Sequence, residues 1–341
     1  MRSEKNKKAI FGYMKDLLIH LIQYPFDPLK KDRLRELVRQ VQDWHALVEL
    51  INAHGIIALA AYNIKEAGLE KELPGEAMAL LENGYRQSIV RNTWLTERWK
   101  EVNAILCNAG IKHILLKGMA LEHTLYDSKG LRQMTDNDIL IKREDSLKAW
   151  YLLQKEGFSH DPIKSHLHKK MLTVIGKHLP TLSKDGYDIE IHHSLFESEV
   201  SAREGNIDMF GNADEISIGD TNAVTLSKEI QLKYLISHFN RHALEGSSQL
   251  RLYADIILLD NTIKIDIPES FIFNPNQENK PEFRKAAYKI NILSIPVKYR
   301  LQYVIGDIFP SVRWMKERYK CTGLKVWLWY VLRIGKLRWL W

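Results

Sequence analysis

The stretch that most constrains this chain runs from Ile114 to Ile141, ILLKGMALEHTLYDSKGLRQMTDNDILI. It starts as an apolar run, breaks at Lys117-Gly118, reads as a helix, passes Arg132, and ends with Asp136-Asn137-Asp138 running into Ile139-Leu140-Ile141. A short apolar run stopped by glycine is the pattern of a buried strand, and a second strand is expected towards Ile141. Carboxylates at i and i+2 of a strand share one face, because side chains alternate with period two. Two such groups repel each other unless a cation or a proton lies between them. Backbone N–H groups at the Lys117-Gly118 turn, with the lysine charge, suit a phosphate. Arg132, four residues before Asp136, reads as a bidentate phosphate ligand. Together these residues point to a nucleoside triphosphate carried with magnesium, with manganese as the alternative ion. The plainer reading is an ordinary strand-to-helix turn, a solvated arginine and a solvent-facing D-x-D on an edge strand.

Further along, HLPTLSKDGYDIEIHHSL reads as two alternating runs around Lys184-Asp185-Gly186, a hairpin. Its second arm sets Tyr187, Ile189 and Ile191 on one face and Asp188, Glu190 and His192 on the other. If that arm lies beside the strand carrying the aspartates, Asp136, Asp138 and Glu190 form a catalytic and metal-binding group able to hold two divalent cations for in-line displacement. His178 and His192, on the paired arms, are candidates for nucleotide contact or a base. A zinc site lacks the necessary Cys or His spacing. His193 reads as structural. His238, His242, Arg251 and Asp255 read either as a group pairing across consecutive helices or as buried hydrogen-bond partners.

The rest of the 341 residues is expected to be mostly helical. Residues 1–109 read as an N-terminal helical region, with apolar positions at Leu34, Leu37, Val38, then Trp44, Leu47, Val48, Ile51, closed by Gly55. Residues 110–200 read as the α/β core with a small mixed sheet. Residues 201–310 read as helical, with Thr225 or Ser227 capping the first helix and a loop excursion from Asn261 to about Lys285. The fold class is therefore α+β, a small sheet flanked by helices. The basic, then apolar N-terminus is interrupted by Lys15, Asp16 and His20, which fits an amphipathic helix better than a signal peptide. Two cysteines make no disulfide framework, so a cytoplasmic, reducing setting is expected.

At this point the sequence resembles an uncharacterised bacterial nucleotidyltransferase family of the polymerase-β-like superfamily. The resemblance rests on Leu116-Lys117-Gly118, Leu125-Tyr126, Arg132 through Asp136-Asn137-Asp138, and Asp188-Ile189-Glu190-Ile191-His192. Flanking similarities are Asp43-Trp44, His54-Gly55, Lys177-His178-Leu179-Pro180, Leu250-Arg251 with Asp255, and Phe309-Pro310-Ser311. It departs from the superfamily in having Lys-Gly at the turn, and from the family in having His193 where tryptophan is common. The resemblance implies a nucleotidyltransferase core, two metal-binding aspartates, a third catalytic acid, and transfer of a nucleoside monophosphate from an NTP such as ATP to an acceptor. The acceptor stays open: a small molecule, a sugar, a protein or RNA. The rival readings are a non-catalytic nucleotide-binding or regulatory module on the same fold, and a toxin-like enzyme that modifies protein or tRNA.

The net charge of +7 is concentrated at one end. From Ser311 to Trp341 there are eight Lys/Arg against Glu317 alone, so that stretch nets +7 and the rest is near neutral. Trp327, Trp329, Trp339 and Trp341 stand among Lys325, Arg333, Lys336 and Arg338. The region 311–341 thus reads as a basic, Trp-rich C-terminal helix. Its aromatics pack on the body, lie on a membrane surface as a peripheral contact, or stack on nucleic acid.

Overall fold

The computed structural model of the protein describes residues 2–196, 208–265 and 267–337. Trp339, Trp341 and Arg338 lie outside the described residues. The chain divides into two compact units, the first built from residues 1–100, 115–137 and 209–283, the second from residues 101–114, 138–208 and 284–341.

Four helices open the first unit: α1 (Arg2–Leu21), α2 (Lys31–Arg39), α3 (Trp44–Ala53) and α4 (Ile57–Glu66). Their apolar stripes close on one core that includes Leu17, Leu34, Leu37, Ile51 and Leu59. Asp43 caps α3 by accepting the Ala46 N–H at 2.9 Å, which satisfies one of the donors that a helix start leaves unpaired. His54 follows α3 and is fully buried. Its Nε2 bonds the Ile272 carbonyl at 2.9 Å and its Nδ1 accepts the Leu250 N–H at 3.3 Å, so the ring is the neutral Nε2–H tautomer.

The long helix α5 (Gly75–Asn108) carries a ladder of bonds to the loop that leads towards Asp138. Ser88 donates to the Gly130 carbonyl (2.6 Å), Asn92 to the Arg132 carbonyl (2.8 Å) and Arg91 to the Thr135 carbonyl (2.6 Å). Asn137 then donates to the Leu95 carbonyl at 3.1 Å. Positions 88, 91, 92 and 95 share one helix face by the three-and-four spacing. Gly130 is pressed against that face: a Cβ there would meet the Ile89 backbone nitrogen at 2.8 Å.

The strands are β1 (His113–Leu116), β2 (Asn137–Ile141), β3 (Leu182–Lys184), β4 (Tyr187–His192), β5 (Ala213–Ile218) and β6 (Thr221–Leu226), in the order β3-β4-β2-β1-β6-β5. The sheet is mixed: β1 and β6 are parallel, while β3–β4 and β5–β6 are antiparallel hairpins. The β3–β4 turn is Asp185-Gly186, both with positive φ (52° and 80°), the backbone that a two-residue hairpin requires. Tyr187, Ile189 and Ile191 are buried, and Asp188 and Glu190 are half-buried, as the alternation anticipates.

Two regions differ from the reading of the sequence. Residues 213–226 are a hairpin and not the approach to a helix. Thr225, expected as a cap, is a strand residue paired with Leu115, donating its hydroxyl to the Leu115 carbonyl at 3.0 Å. The β5 edge is mostly exposed and carries Asp214 and Glu215, so it shows little apolar alternation. The segment after Asn261 is also no excursion. Ile267, Phe271 and Ile272 are buried in the first unit's core, and the buried Gln277 amide donates to the Ser270 and Asn274 carbonyls.

The remaining helices of the first unit are α6 (Lys117–Leu125), α9 (Lys228–Leu244), α10 (Leu250–Leu259) and α11 (Glu269–Phe273). The second unit holds α7 (Arg143–Lys155), the single-turn α8 (His166–Lys169) and the C-terminal series α12 (Pro281–Ser294), α13 (Val297–Ile308), α14 (Val312–Tyr319) and α15 (Lys325–Leu337). The start of α12 belongs to the first unit. Asp307 on α13 pairs with Lys164 and with His168 on α8. Ser311 caps α14, and the Tyr330 hydroxyl on α15 donates to the Pro310 carbonyl at 2.5 Å.

Candidate active site

Within the second unit, β2 and β4 carry the sharpest chemical grouping. His192 Nε2 lies 2.9 Å from Asp138 Oδ1 and 3.4 Å from Glu190 Oε2. One ligand atom from each of Asp138, Glu190 and His192 lies within 4.8 Å of the others, a spacing that can hold a metal ion. Asp138 and His192 are buried, while the Glu190 side chain keeps about 20 % of its surface exposed. The group is therefore largely buried, with Glu190 as its part-exposed member. Glu190 Oε1 also accepts the Thr181 hydroxyl at 3.3 Å.

His178 faces His192 across the isolated bridge between their backbones, as the hairpin reading expects, with ring centroids 5.2 Å apart. Its Nδ1 bonds the Leu179 carbonyl at 2.9 Å, and its Nε2 lies 3.9 Å from Glu190 Oε2. His193 is buried, and burial, with the Arg143 charge as the next cause, pushes its imidazole down to about 4. His193 is therefore a neutral structural residue at neutral pH.

An imidazole, His192, thus stands beside two of the three expected carboxylates, Asp138 and Glu190. The alternation already placed His192 on the same face of β4 as Glu190. Its role beside the acids was the part that residue type alone did not announce. Asp136 stands immediately before β2, half-buried, and accepts the Thr135 hydroxyl at 3.0 Å.

In the first unit, Lys117 opens α6 with φ of 47°. A lysine in the left-handed region is strained by roughly 1–3 kcal/mol, and such strain concentrates at functional turns. Gly118 follows because nothing larger fits: a Cβ would lie 2.9 Å from Met134 Cγ. Arg132 is 4 % exposed and its guanidinium is engaged by Asp255, with Nε at 2.9 Å and Nη2 at 2.7 Å from Oδ2. Its Nη1 donates to the Gln133 carbonyl at 2.7 Å. Tyr126 donates to Asp255 Oδ1 at 3.1 Å; burial first, then the Asp255 charge, raises its phenol well above its ordinary value.

Arg251 converges on the same Gln133 carbonyl, through Nη1 at 3.0 Å, and reaches Gln249 Oε1 through Nη2 at 2.9 Å. Its buried Nε has no hydrogen-bond partner among the described residues. Burial, with the Arg132 charge as the next cause, lowers its guanidinium to about 10. Asp255 thus pairs with Arg132 in the loop before β2, not with Arg251 on its own helix. Two arginines share one carbonyl, and one carboxylate balances the nearer of them.

The geometry is that of an acidic group with a spacing that could hold a metal ion, on an α+β fold. A family model described as an uncharacterised nucleotidyltransferase matches residues 40–269, and the chain belongs to that family. No curated protein matches the chain. Family membership supports a transferase acting on nucleotidyl groups, with a nucleoside triphosphate as substrate. The matched range contains every candidate residue above and stops before α12.

Proposed function

We propose that the protein transfers a nucleoside monophosphate from an NTP to an acceptor and releases pyrophosphate, with magnesium or manganese bound. The observation that carries this reading is the convergence of Asp138, Glu190 and His192. The donor chemistry fits a divalent cation: two carboxylates are hard oxygen ligands that suit magnesium or manganese, and the imidazole adds a nitrogen donor. Once bound, the ion neutralises phosphate charge and makes the acceptor hydroxyl easier to deprotonate.

Asp138, Glu190 and His192 hold that ion, and Asp136 supplies the second aspartate of the pair. Lys117 and the backbone at Gly118 hold the triphosphate. Arg132 is committed to Asp255, so we assign it the task of fixing the loop before β2. His178 and Glu190 are the candidate bases at the acceptor side. The acceptor oxygen bonds to the α-phosphorus, the α–β phosphoanhydride breaks, and the acceptor proton passes to the base.

The test is to incubate the protein with each α-labelled NTP, a divalent cation and a cell lysate, then to fractionate the labelled product. Label transferred by the wild type and not by Asp138→Asn supports the assignment. Equal transfer by the variant overturns it. His192 bridging both carboxylates favours one rival, a module that binds nucleotide without turnover. Calorimetry separates the two, because nucleotide binding that is indifferent to divalent ions favours the module.

A further inference from the structure

Helix α15 is apolar on both of its faces. Val326, Trp329 and Tyr330 turn inward onto Met315, Cys321 and Tyr319, with the Trp329 and Tyr319 rings stacked at 4.3 Å. Trp327, Leu328, Val331 and Leu332, with Leu324 just before the helix, turn outward, and their exposures run from 45 % to 85 %. At about 100° per residue these five side chains occupy an arc of roughly 140°. The inward set takes the opposite side, so the split is clean and the outer stripe is a second, uncovered apolar face. The second unit exposes another stripe nearby in sequence, Val297, Leu301 and Ile305 on α13, continued by Phe309 and Val312. Isolated exposed apolar residues are ordinary; contiguous stripes at helical spacing mark a surface that something covers.

The charge says what that something is. Arg313, Lys316, Arg318 and Lys320, just before the stripe in sequence, and Lys325 within it are all exposed, against the single acid Glu317. The excess positive charge of the whole chain resides in this stretch. Large apolar side chains including tryptophan, rimmed by lysine and arginine, fit an anionic lipid surface, into which the apolar side sinks while the cations meet headgroups. None of the described helices is long and apolar enough to cross a membrane, so the fit is to lying on the surface. This region also falls outside the matched family range.

We propose that the C-terminal helices dock this protein on an anionic membrane through Leu324, Trp327, Leu328 and Val331. The test uses the full chain with vesicles of phosphatidylcholine alone and with vesicles containing about one third phosphatidylglycerol. Wild type floats with the anionic vesicles, floats at least tenfold less with the neutral ones, and shows a blue shift of tryptophan emission on binding. The variant Trp327→Ser/Leu328→Ser/Val331→Ser keeps the wild-type circular dichroism and melting temperature, because these side chains face out, and loses at least tenfold in flotation. Failure of the wild type to float overturns the proposal. So does equal flotation of the folded variant, or a concentration-dependent dimer in light scattering that the triple substitution abolishes, which would make the cover a second copy of the chain. The readout is independent of nucleotide transfer, so it stands whether or not the proposed activity does.

Discussion

Two clusters of charge in this molecule are built from similar parts and differ in how closed they are. In the first unit, Arg132 and Asp255 meet through multiple short bonds, with the Tyr126 hydroxyl completing the carboxylate. In the second, two carboxylates, Asp138 and Glu190, converge on one imidazole. The first cluster is neutral as a pair and nearly sealed. The second sets two carboxylates around one imidazole and leaves the Glu190 side chain about 20 % exposed. A closed ion pair suits the fixing of a loop, whereas carboxylates converging on an imidazole at a part-exposed place suit the cation proposed above. Breaking the first should therefore cost stability, and breaking the second should cost activity.

The largest expected effect is on the closed pair. Asp255→Ala leaves the Arg132 guanidinium buried without its counter-charge, and we expect a loss of about 3–5 kcal/mol in denaturant unfolding. A loss below about 1 kcal/mol would remove the distinction between the clusters. Next comes Asp138→Asn, which lowers nucleotidyl transfer by about a hundredfold or more, the scale of losing one electrostatic stabiliser. Asparagine keeps the side chain's size and an oxygen for the His192 bond, so the loss of stability should be small beside the loss of activity. A melting temperature that falls as steeply as the activity would assign Asp138 to the scaffold.

A third prediction concerns pH. His193 is held neutral down to about 4 in the fold, against 6.5 for an unperturbed histidine. Above pH 6.5 it is neutral in both states. As pH falls below that, the unfolded chain takes up the proton first, so stability drops by up to about 3 kcal/mol by pH 4 and then levels. Burial lowers the His54, His113 and His123 imidazoles too, and they act in the same sense. Unfolding free energies across that range should slope less in His193→Gln than in the wild type.

Fourth, manganese or magnesium at a hundred times its dissociation constant raises wild-type stability by about 2.7 kcal/mol. That gain should vanish in His192→Ala if the imidazole is a ligand, and a full gain in the variant would restrict the site to its carboxylates. The smallest effect is Gly118→Ala, where displacing Met134 costs about 1–2 kcal/mol.

Much of this contrast was legible before the structure, because it lies along strands. The alternation from Tyr187 to His192 and the Asp185-Gly186 turn fixed which side chains share a face, and Glu190 was placed by that pattern. What stayed hidden depends on partners far apart in sequence. Arg132 read as a solvent-facing phosphate ligand because Asp255, 123 residues away, is not implied by anything local. The β5–β6 hairpin was missed because its edge strand exposes polar residues and leaves no apolar rhythm. The stretch after Asn261 was misread because its Pro and Asn content resembles a loop, while Ile267, Phe271 and Ile272 still enter the core.

The bonds that α5 makes to residues 130–137 have a consequence for the lengths this chain tolerates. Four bonds from one face of α5 hold the backbone carbonyls of Gly130, Arg132 and Thr135 and the Asn137 side chain, so the segment is indexed by count as well as by residue type. Insertion or deletion of one residue between Gly130 and Asn137 would shift every later carbonyl off its partner and deliver the wrong residue to the start of β2. The same change at the Gly219-Asp220 turn would only lengthen a surface hairpin. Divergent copies of this protein should therefore vary freely in length at that hairpin and keep an invariant spacing of eight residues from Gly130 to Asp138, whatever happens to the side chains in between.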